Sequence, residues 1–296
     1  MFKKGFALPA KTANAPRTKF ERGEEKALIA AARKGDARAM RRILESVSGP
    51  VLRFASGFCR QREDAEDVVQ ESLAAVARSL KEFRGDASLT TWAFTVARNA
   101  CLRRRRRERT RAAVTESLDA PESGAVARAV ADRGRRPDEE AERGELLRSL
   151  EAAIAALPGT QREVLMLRDV EGLSTLEVGR VLGLEEAAVK SRLHRARLSM
   201  RLALAPIVTP NAPAPRRGCP RTARMLSRYM EREIDARTCA RLAEHVKDCA
   251  GCSAACESLR AVVGECKRLG SRPAPPALKG AIKAAIGRVV ADQAGG

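Results

Sequence analysis

The sequence predicts an all-α protein built from several small helical units. Apolar residues recur at helical spacing over residues 24–107 and again over 143–204. No stretch of useful length alternates with the two-residue period of a strand, and clusters of Gly, Asp and Pro interrupt the helical pattern. A chain of 296 residues is also long enough for two or three such units.

The breaks in this pattern divide the chain into domains, linkers and tails. Residues 108–142 lack a steady apolar stripe and are expected to form a flexible, solvated linker, and four prolines within 205–218 oppose a helix there. We therefore expect a disordered tail (1–23), a first helical domain (24–107), a linker (108–142), a helix-turn-helix domain (143–204), a Pro-rich linker (205–218), a cysteine-rich domain (219–270) and a C-terminal tail with a short amphipathic helix (271–296).

The charge of the chain indicates a polyanionic partner. The formal net charge is +19, and release of counterions from a phosphate backbone favours binding of such a chain to nucleic acid. A general coding bias toward arginine is the alternative explanation. Aromatic residues make up only 3% of the chain, which argues against a base-stacking platform for single strands along its whole length.

Membrane, secretory and catalytic classes are not expected. No stretch approaches the roughly 20 apolar residues of a membrane span, and the basic N-terminus lacks the apolar core of a signal peptide, so a cytoplasmic location is predicted. The chain has 2 histidines and no Ser-His-Asp set, phosphate-cradling Gly loop or isolated carboxylate pair. We therefore do not expect an enzyme.

An acidic helix is predicted over residues 64–73. Ala65, Val69 and Leu73 share one face of it, while the polar residues on its other faces are Asp64, Asp67, Gln70 and Glu71. An acidic patch in a basic protein favours a protein partner over DNA. The alternative is an ordinary solvated helix face.

A polar loop and a basic helix follow. The Gly-containing turn over 84–88 leads into a helix over about 90–107, and together they carry Arg84, Trp92, Arg98, Asn99, Arg104 and the arginine run 103–107. A short polar loop beside a basic helix is suited to holding an unstacked base and its phosphates. For Trp92, a core anchor is the alternative to a stacking surface.

Residues 173–201 predict a helix-turn-helix. Ser174 or Thr175 can cap a first helix with Glu177 at capping-box distance, and Gly183 ends it. The second helix begins near Glu185 and buries Val189, Leu193, Ala196 and Met200. Its other face is cationic, as insertion into a major groove requires, and carries Lys190, Ser191, Arg192, His194, Arg195 and Arg197. A plain basic surface helix is the alternative.

The cysteines predict a metal site. His245 and Cys249 lie four residues apart on one helical face, Cys252 follows after a Gly-containing knuckle, and Cys219 supplies a fourth ligand. A His-Cys-Cys-Cys set suits tetrahedral zinc, which would also stabilise a domain of about fifty residues with a small core. Cys239, Cys256 and Cys266 exceed this requirement and are either inert thiols or ligands of a metal or redox sensor. A Cys-x2-Cys dithiol enzyme is not favoured, since no βαβ pattern surrounds the pair.

The C-terminal tail contains one more amphipathic segment. Its apolar residues Leu278, Ile282, Ile286 and Val289 share a helical face. The segment either docks on a partner or packs peripherally on its own chain.

Two ordered sets of motifs resemble extracytoplasmic-function (ECF) sigma factors. The resemblance to the promoter-reading domain of that family lies in Leu157-Pro158, Leu182-Gly183 and the run Val189-Lys190-Ser191-Arg192-Leu193. The promoter-melting domain resembles, in the same order, Gly35-Asp36, the run 65–71, Phe83-Arg84-Gly85, Thr91-Trp92 and Ala97-Arg98-Asn99. The chain departs from the family at Gly179, where Ala is usual, at Glu185-Glu186, and at Arg103, where Asp is common.

This resemblance implies roles for the predicted residues. The acidic helix would bind the coiled-coil clamp of the polymerase largest subunit through Asp64, Asp67, Gln70 and Glu71. The loop and helix over 84–107 would take the minus-10 element, and the recognition helix would read the minus-35 element. The cysteine domain, including Tyr229-x-x-Arg232-Glu233, is similar to the zinc-binding domain of anti-sigma factors, which implies control over the other two domains.

We therefore expect a sigma factor whose partners are core RNA polymerase, promoter DNA and, as an open possibility, an anti-sigma factor. Two alternatives remain. One is a helix-turn-helix regulator that never joins polymerase, against which the acidic helix argues. The other is a metal- or redox-responsive adaptor in which the cysteine domain dominates. The sign of control by the cysteine domain is open at this point.

Overall fold

The computed structural model describes residues 20–59, 62–115, 137–219, 221–273 and 276–294. Within these ranges the chain is helical and contains no strand, as the sequence predicts. The helices are α1 (Arg22–Arg33), α2 (Ala37–Ser56), α3 (Arg62–Ser79), α4 (Leu89–Thr115), α5 (Pro137–Ala156), α6 (Gly159–Leu165), α7 (Thr175–Leu182), α8 (Glu186–Val208), α9 (Thr222–Met230), α10 (Ala236–Asp248), α11 (Ala250–Ser271) and α12 (Pro276–Ala294). In the described ranges, no helix combines the length and apolar character that a bilayer crossing requires.

The helices form two compact units. The α2 unit contains α1 to α4, α12 and residues 176–184, which include nearly all of α7. The α8 unit contains α5, α6 and α8 to α11.

α2 is the central helix of its unit and packs against α1, α3, α4 and α12. The Asp36 carboxylate caps its N-terminus by accepting hydrogen bonds from the backbone N–H groups of Arg38 and Ala39 at 2.8 and 3.1 Å. Phe54 of α2 and Phe94 of α4 are buried with ring centroids 5.6 Å apart. The core that these helices share holds the acidic helix α3 beside the basic helix α4.

The α8 unit combines the predicted recognition helix with the cysteine domain. α8 packs against α5, α6 and α9, and buries Val189, Leu193, Ala196 and Met200 as the sequence predicts. A wide helical turn over Met166–Val170 connects α6 to the loop before α7 and buries Arg168 and Asp169. Helices α9 to α11 share a core of leucines and cysteines, namely Leu226, Leu242, Leu259, Cys249, Cys252 and Cys256.

Several helix ends differ from the sequence-based boundaries. α4 continues to Thr115 and α5 begins at Pro137, so both helices enter the segment expected to be a linker, whose residues 116–136 lie outside the described ranges. The expected tail also lies outside them up to residue 19, and α1 begins at Arg22. α8 runs through Pro206 to Val208. A proline so near the helix end removes a single hydrogen bond, which explains why our expectation of a break at 205 is wrong.

The C-terminal amphipathic segment forms α12 and packs within its own unit. It packs against α2 and α3, and its buried residues are Ala285, Ile286 and Val290. Ile282 and Val289 are half-buried, and the side chain of Leu278 lies outside what the structure describes. The segment therefore packs on its own chain, along the helix that carries the predicted polymerase contacts.

Candidate functional site

The four predicted metal ligands converge on one point of the α8 unit. Cys219 precedes α9, His245 lies in the last turn of α10, Cys249 separates α10 from α11, and Cys252 lies in the first turn of α11. Their ligand atoms all lie within 4.8 Å of one another. The Sγ atoms of Cys219 and Cys249 are 3.7 Å apart, and His245 Nε2 is 3.2 Å from Cys252 Sγ.

These distances fit tetrahedral coordination of one metal ion. Two thiolates bound to zinc at about 2.3 Å lie roughly 3.8 Å apart when the angle between them is tetrahedral. Backbone N–H groups of Cys252 and Arg216 stabilise the thiolate of Cys249 and lower its pKa to about 6. Cys249 is therefore an anionic ligand at neutral pH, and the residues present can hold zinc through three sulfur atoms and one imidazole nitrogen.

The knuckle between Cys249 and Cys252 also holds the Pro-rich linker. A Cβ atom at Gly251 would clash with the backbone oxygen of Ala214, so any larger residue would force the linker away. Because Arg216 donates its N–H group to Cys249 from the same linker, the linker backbone is part of the metal site.

The three additional cysteines are buried outside this cluster. Cys239 is 7% exposed, whereas Cys256 and Cys266 are fully enclosed. Burial raises the pKa of Cys256 to about 11 and also raises that of Cys266, to which the nearby Asp169 contributes. Cys256 and Cys266 are thus protonated and unreactive at neutral pH, which favours the inert reading over the sensor reading for these two.

The predicted DNA-reading face of α8 divides into two sets. Ser191 and Arg195 are exposed, and Lys190 and Arg192 are half-buried. His194 and Arg197 instead face α9 and the turn that follows it. The cationic face is thus only partly open to solvent.

Arg197 is the largest fully buried side chain among the described residues. Its guanidinium donates to the Asp169 carboxylate at 2.7 and 2.5 Å and to Glu231 Oε1 at 2.8 Å. Burial opposes its charge, but Asp169 and Glu231 outweigh this effect and raise the pKa of Arg197. Our assignment of Arg197 to the DNA-reading face therefore does not match this arrangement. Helical spacing could have revealed it, because Arg197 lies four residues after Leu193 and three before Met200, both of which are buried.

Glu231 was not identified from the sequence. Its second carboxylate oxygen accepts from Arg168 at 3.1 and 3.0 Å, so one buried carboxylate joins two arginines. His194 lies beside it, with Nδ1 2.8 Å from Ser227 Oγ and Nε2 2.5 Å from Glu233 Oε2. Burial lowers the pKa of His194, and the carboxylate of Glu233 opposes this shift only in part.

A left-handed residue brings both glutamates onto α8. Arg232 has φ +61° and follows the end of α9, a conformation that is uncommon for a residue with a side chain. The backbone N–H of Glu233 donates to the Arg228 carbonyl at 3.0 Å and closes this turn. The Tyr229-x-x-Arg232-Glu233 segment, noted in the sequence only through its resemblance to zinc anti-sigma factors, thus forms the contact with α8, to which Leu198 adds an apolar part.

The acidic residues of α3 are paired with arginines of the same unit. Arg104 bridges Asp64 and Asp67, the latter at 3.0 Å, and Arg103 pairs with Glu71 at 2.6 Å. The Oε1 atom of Gln70 accepts a hydrogen bond from Arg288 of α12 at 3.2 Å. The structure therefore brings all four predicted polymerase contacts together on one helix and gives each a partner within the chain.

The predicted minus-10 residues lie in the loop before α4 and along α4. Arg84 and Asn99 are exposed, and Trp92 packs against Phe83 with ring centroids 5.0 Å apart, which favours the core-anchor reading of the tryptophan. Arg98 is half-buried. Two residues of α7 that the sequence did not identify as part of this region contact it. Arg180 donates to the Asp86 carbonyl in the loop before α4 at 2.9 Å, and Glu177 accepts from Thr91 in the first turn of α4 at 3.0 Å.

Comparison with known families identifies three regions of the chain. The family described as Sigma-70 region 2 matches residues 43–111, Sigma-70 region 4 matches residues 147–200, and a zinc-finger family matches residues 219–253. The three matches follow the order of the predicted domains.

Similar proteins agree with these families. The ECF RNA polymerase sigma factor SigL of Mycobacterium tuberculosis is 33% identical over 60% of this chain and 96% of its own length. SigM of the same species is 31% identical over 57% of this chain and 79% of its own length. Among solved structures, the sigma factor RpoE of Bartonella quintana, in complex with the anti-sigma factor NepR, matches 55% of this chain and 91% of its own at 25% identity and a TM-score of 0.44.

Proposed function

Because the chain belongs to the ECF family of RNA polymerase sigma factors, we propose that it is a sigma factor restrained by its own C-terminal module. In this proposal α3 binds core polymerase through Asp64, Asp67, Gln70 and Glu71. The loop before α4 and α4 itself bind the minus-10 element, and α8 reads the minus-35 element. The protein acts in the cytoplasm, without catalysis of its own.

Zinc is the metal we assign to the cysteine module. Three thiolates and one imidazole are soft and borderline ligands, and four-coordinate sites of this composition in proteins are typical of structural zinc. When bound, zinc would supply a rigid cross-link between the linker, α10 and α11. Its effect on function would follow from holding α9 and the Glu231–Glu233 turn against α8.

The contact between Arg197 and Glu231 is the observation on which this regulation rests. α9 and its turn occupy the side of α8 that carries His194 and Arg197, and they bring carboxylates to a helix whose ligand would be a phosphate backbone. Docked in this way, the carboxylates of Glu231 and Glu233 would repel a phosphate backbone that approaches the neighbouring cations of α8. The module therefore opposes promoter binding by α8 and acts as an inhibitor.

α12 supports a second restraint, within the α2 unit. It packs on α2 and α3 and contacts Gln70, one of the residues assigned to polymerase binding. A helix on that surface would have to move before polymerase could bind there. Its loss would increase the affinity for core polymerase.

Run-off transcription with purified core polymerase tests the proposal. Zinc-loaded full-length chain and a truncation after Thr209, which keeps all of α8, are compared on a library of promoter fragments. We expect discrete start sites with the truncation and fewer transcripts with the full-length chain.

Two outcomes would contradict the proposal. If neither form initiates or binds core polymerase, the chain is a helix-turn-helix regulator. If the full-length chain is the more active form, the module is an activator. Substitution of Asp67 and Gln70 by Ala should abolish polymerase binding while the chain still binds duplex DNA.

A further inference from the structure

The carboxylates of α3 and the arginines of α4 form a matched set. Arg104 lies against Asp64 and Asp67, and Arg103 lies against Glu71. The next arginines of the same run, Arg105 and Arg107, are exposed. Two of the five arginines in this run therefore neutralise α3, and at least two others face solvent on the same helix.

Each of these groups has a second partner if the proposed function holds. The α3 carboxylates would contact core polymerase, and Arg104, with its neighbour Arg103, would contact promoter phosphates. A cation of polymerase on the same carboxylate would repel the guanidinium of Arg104 and compete with it for the negative charge. Polymerase binding would therefore weaken the pairs seen in the chain.

We propose that Arg103 and Arg104 form an exchange switch that couples polymerase binding to DNA binding. In the isolated chain the two arginines hold the α3 carboxylates and contribute little to DNA affinity. When polymerase binds the α3 carboxylates, the two arginines become available to contact DNA phosphates. The coupling is reciprocal, so promoter DNA that engages the arginines also exposes the carboxylates to polymerase. This inference rests on the proposed role of α3.

The exposure of these pairs makes the exchange easy. The side chains of Arg103 and Glu71 are 47% and 41% exposed, and that of Asp67 is 62% exposed. The pair between Arg104 and Asp64 is more enclosed, at 33% and 16%. Ion pairs of this exposure shift an equilibrium by about 1.5- to 5-fold each, so they bias the isolated chain without preventing polymerase from binding. A fully buried set, such as that around Arg197, would not exchange in this way.

The first test measures core polymerase affinity in the absence of DNA. The full-length double variant Arg103→Gln/Arg104→Gln is compared with Arg105→Gln/Arg107→Gln, which removes the same charge from the same helix but leaves the α3 pairs in place. We expect the first variant to bind core polymerase about threefold more tightly than the second. Equal affinity, or weaker binding by the first variant, would overturn the proposal, since weaker binding would mean that the arginines position the carboxylates for polymerase. Thermal unfolding by circular dichroism verifies that both variants fold.

A second test uses duplex DNA and the isolated full-length chain. The slope of log K against log salt falls by about 0.9 for every phosphate contact that is lost. We expect Arg105→Gln/Arg107→Gln to lower the slope and Arg103→Gln/Arg104→Gln to leave it near the wild-type value. A larger drop for Arg103→Gln/Arg104→Gln would show that these arginines already bind phosphate in the isolated chain, which would overturn the switch.

The Asp67→Ala/Gln70→Ala variant separates failure of this inference from failure of the proposed function. If it binds core polymerase as the wild type does, α3 is not the polymerase surface and the proposed function fails. If it loses binding while the two arginine variants behave alike, only the exchange switch fails.

Discussion

Arg197 and Glu231 form an ion pair of 2.8 Å in which both side chains are 2% exposed. Arg197 belongs to the helix assigned to promoter reading, and Glu231 follows the first helix of the cysteine module. A buried pair of this kind is costly to break from one side, because the remaining charge stays buried with less opposite charge beside it.

Glu231→Gln should release the module from α8. Loss of the carboxylate leaves Arg168 and Arg197 buried with less negative charge, at a cost of about 3–5 kcal/mol to the docked state. We expect tighter DNA binding and more run-off transcript from the full-length chain. The control is Glu257→Gln, which removes an exposed carboxylate of the same module. Equal stimulation by both variants would contradict the role of the buried pair.

Docking of the module should weaken as pH falls. Burial keeps the pKa of His194 below its ordinary value despite Glu233, so the docked state favours the neutral imidazole. The undocked, solvated histidine takes up a proton at about pH 6.5, and docking therefore loses stability as pH drops below that value. Affinity for duplex DNA, measured from about pH 7.5 down to 5.5, should rise relative to the Thr209 truncation.

His194→Gln should remove most of this pH response. The other histidine of the chain is the proposed metal ligand His245, so zinc content is measured at every pH and the comparison uses samples that remain loaded. A pH response that persists unchanged in zinc-loaded His194→Gln would contradict the role of His194.

Cys252→Ser should empty the metal site and relieve inhibition. Cys252 is a proposed ligand and also part of the buried core of the module. We expect bound zinc to fall from about one ion per chain to near zero, a lower melting temperature for the module, and transcription close to that of the truncation. Cys59→Ser, in the α2 unit, should retain its zinc. Full zinc occupancy in Cys252→Ser would contradict the ligand set.

Ile286→Asp should detach α12 from α2 and α3. Ile286 is 1% exposed, and burying an unpaired carboxylate there is strongly unfavourable. We expect higher affinity for core polymerase, measured by fluorescence anisotropy with a labelled chain. Ala284→Asp introduces the same charge on the exposed face of α12 and should have little effect. If Ile286→Asp binds no more tightly than Ala284→Asp, α12 does not restrain α3.

Local chemistry made part of this structure predictable from the sequence. The period of apolar residues predicted the helical fold and the buried face of α8. The spacing of His245, Cys249 and Cys252 predicted that these side chains lie close together. Both signals arise within a few residues of the chain. The partner of an amphipathic face is a different matter. Ile286 was identified as an apolar position of α12, but the helical period does not say that it faces α2 and α3.

Buried charge was the main feature that the sequence did not reveal. Glu231 and Arg168 look like surface residues, since charged side chains are rarely enclosed unless they are paired. Their burial depends on a partner 63 residues away and on the left-handed turn at Arg232. Neither property leaves a periodic pattern in the chain.

The Pro-rich linker ties the module to α8 within one polypeptide, and its backbone at Ala214 lies against Gly251. A tethered partner acts at a local concentration in the millimolar range, whatever the number of molecules in the cell. Dilution or overproduction of the protein therefore leaves the ratio of the proposed inhibitor to its target at one. A cell that uses this factor can adjust its response through the chemistry of the metal site and the contacts around Arg197, but not by making one component in excess of the other.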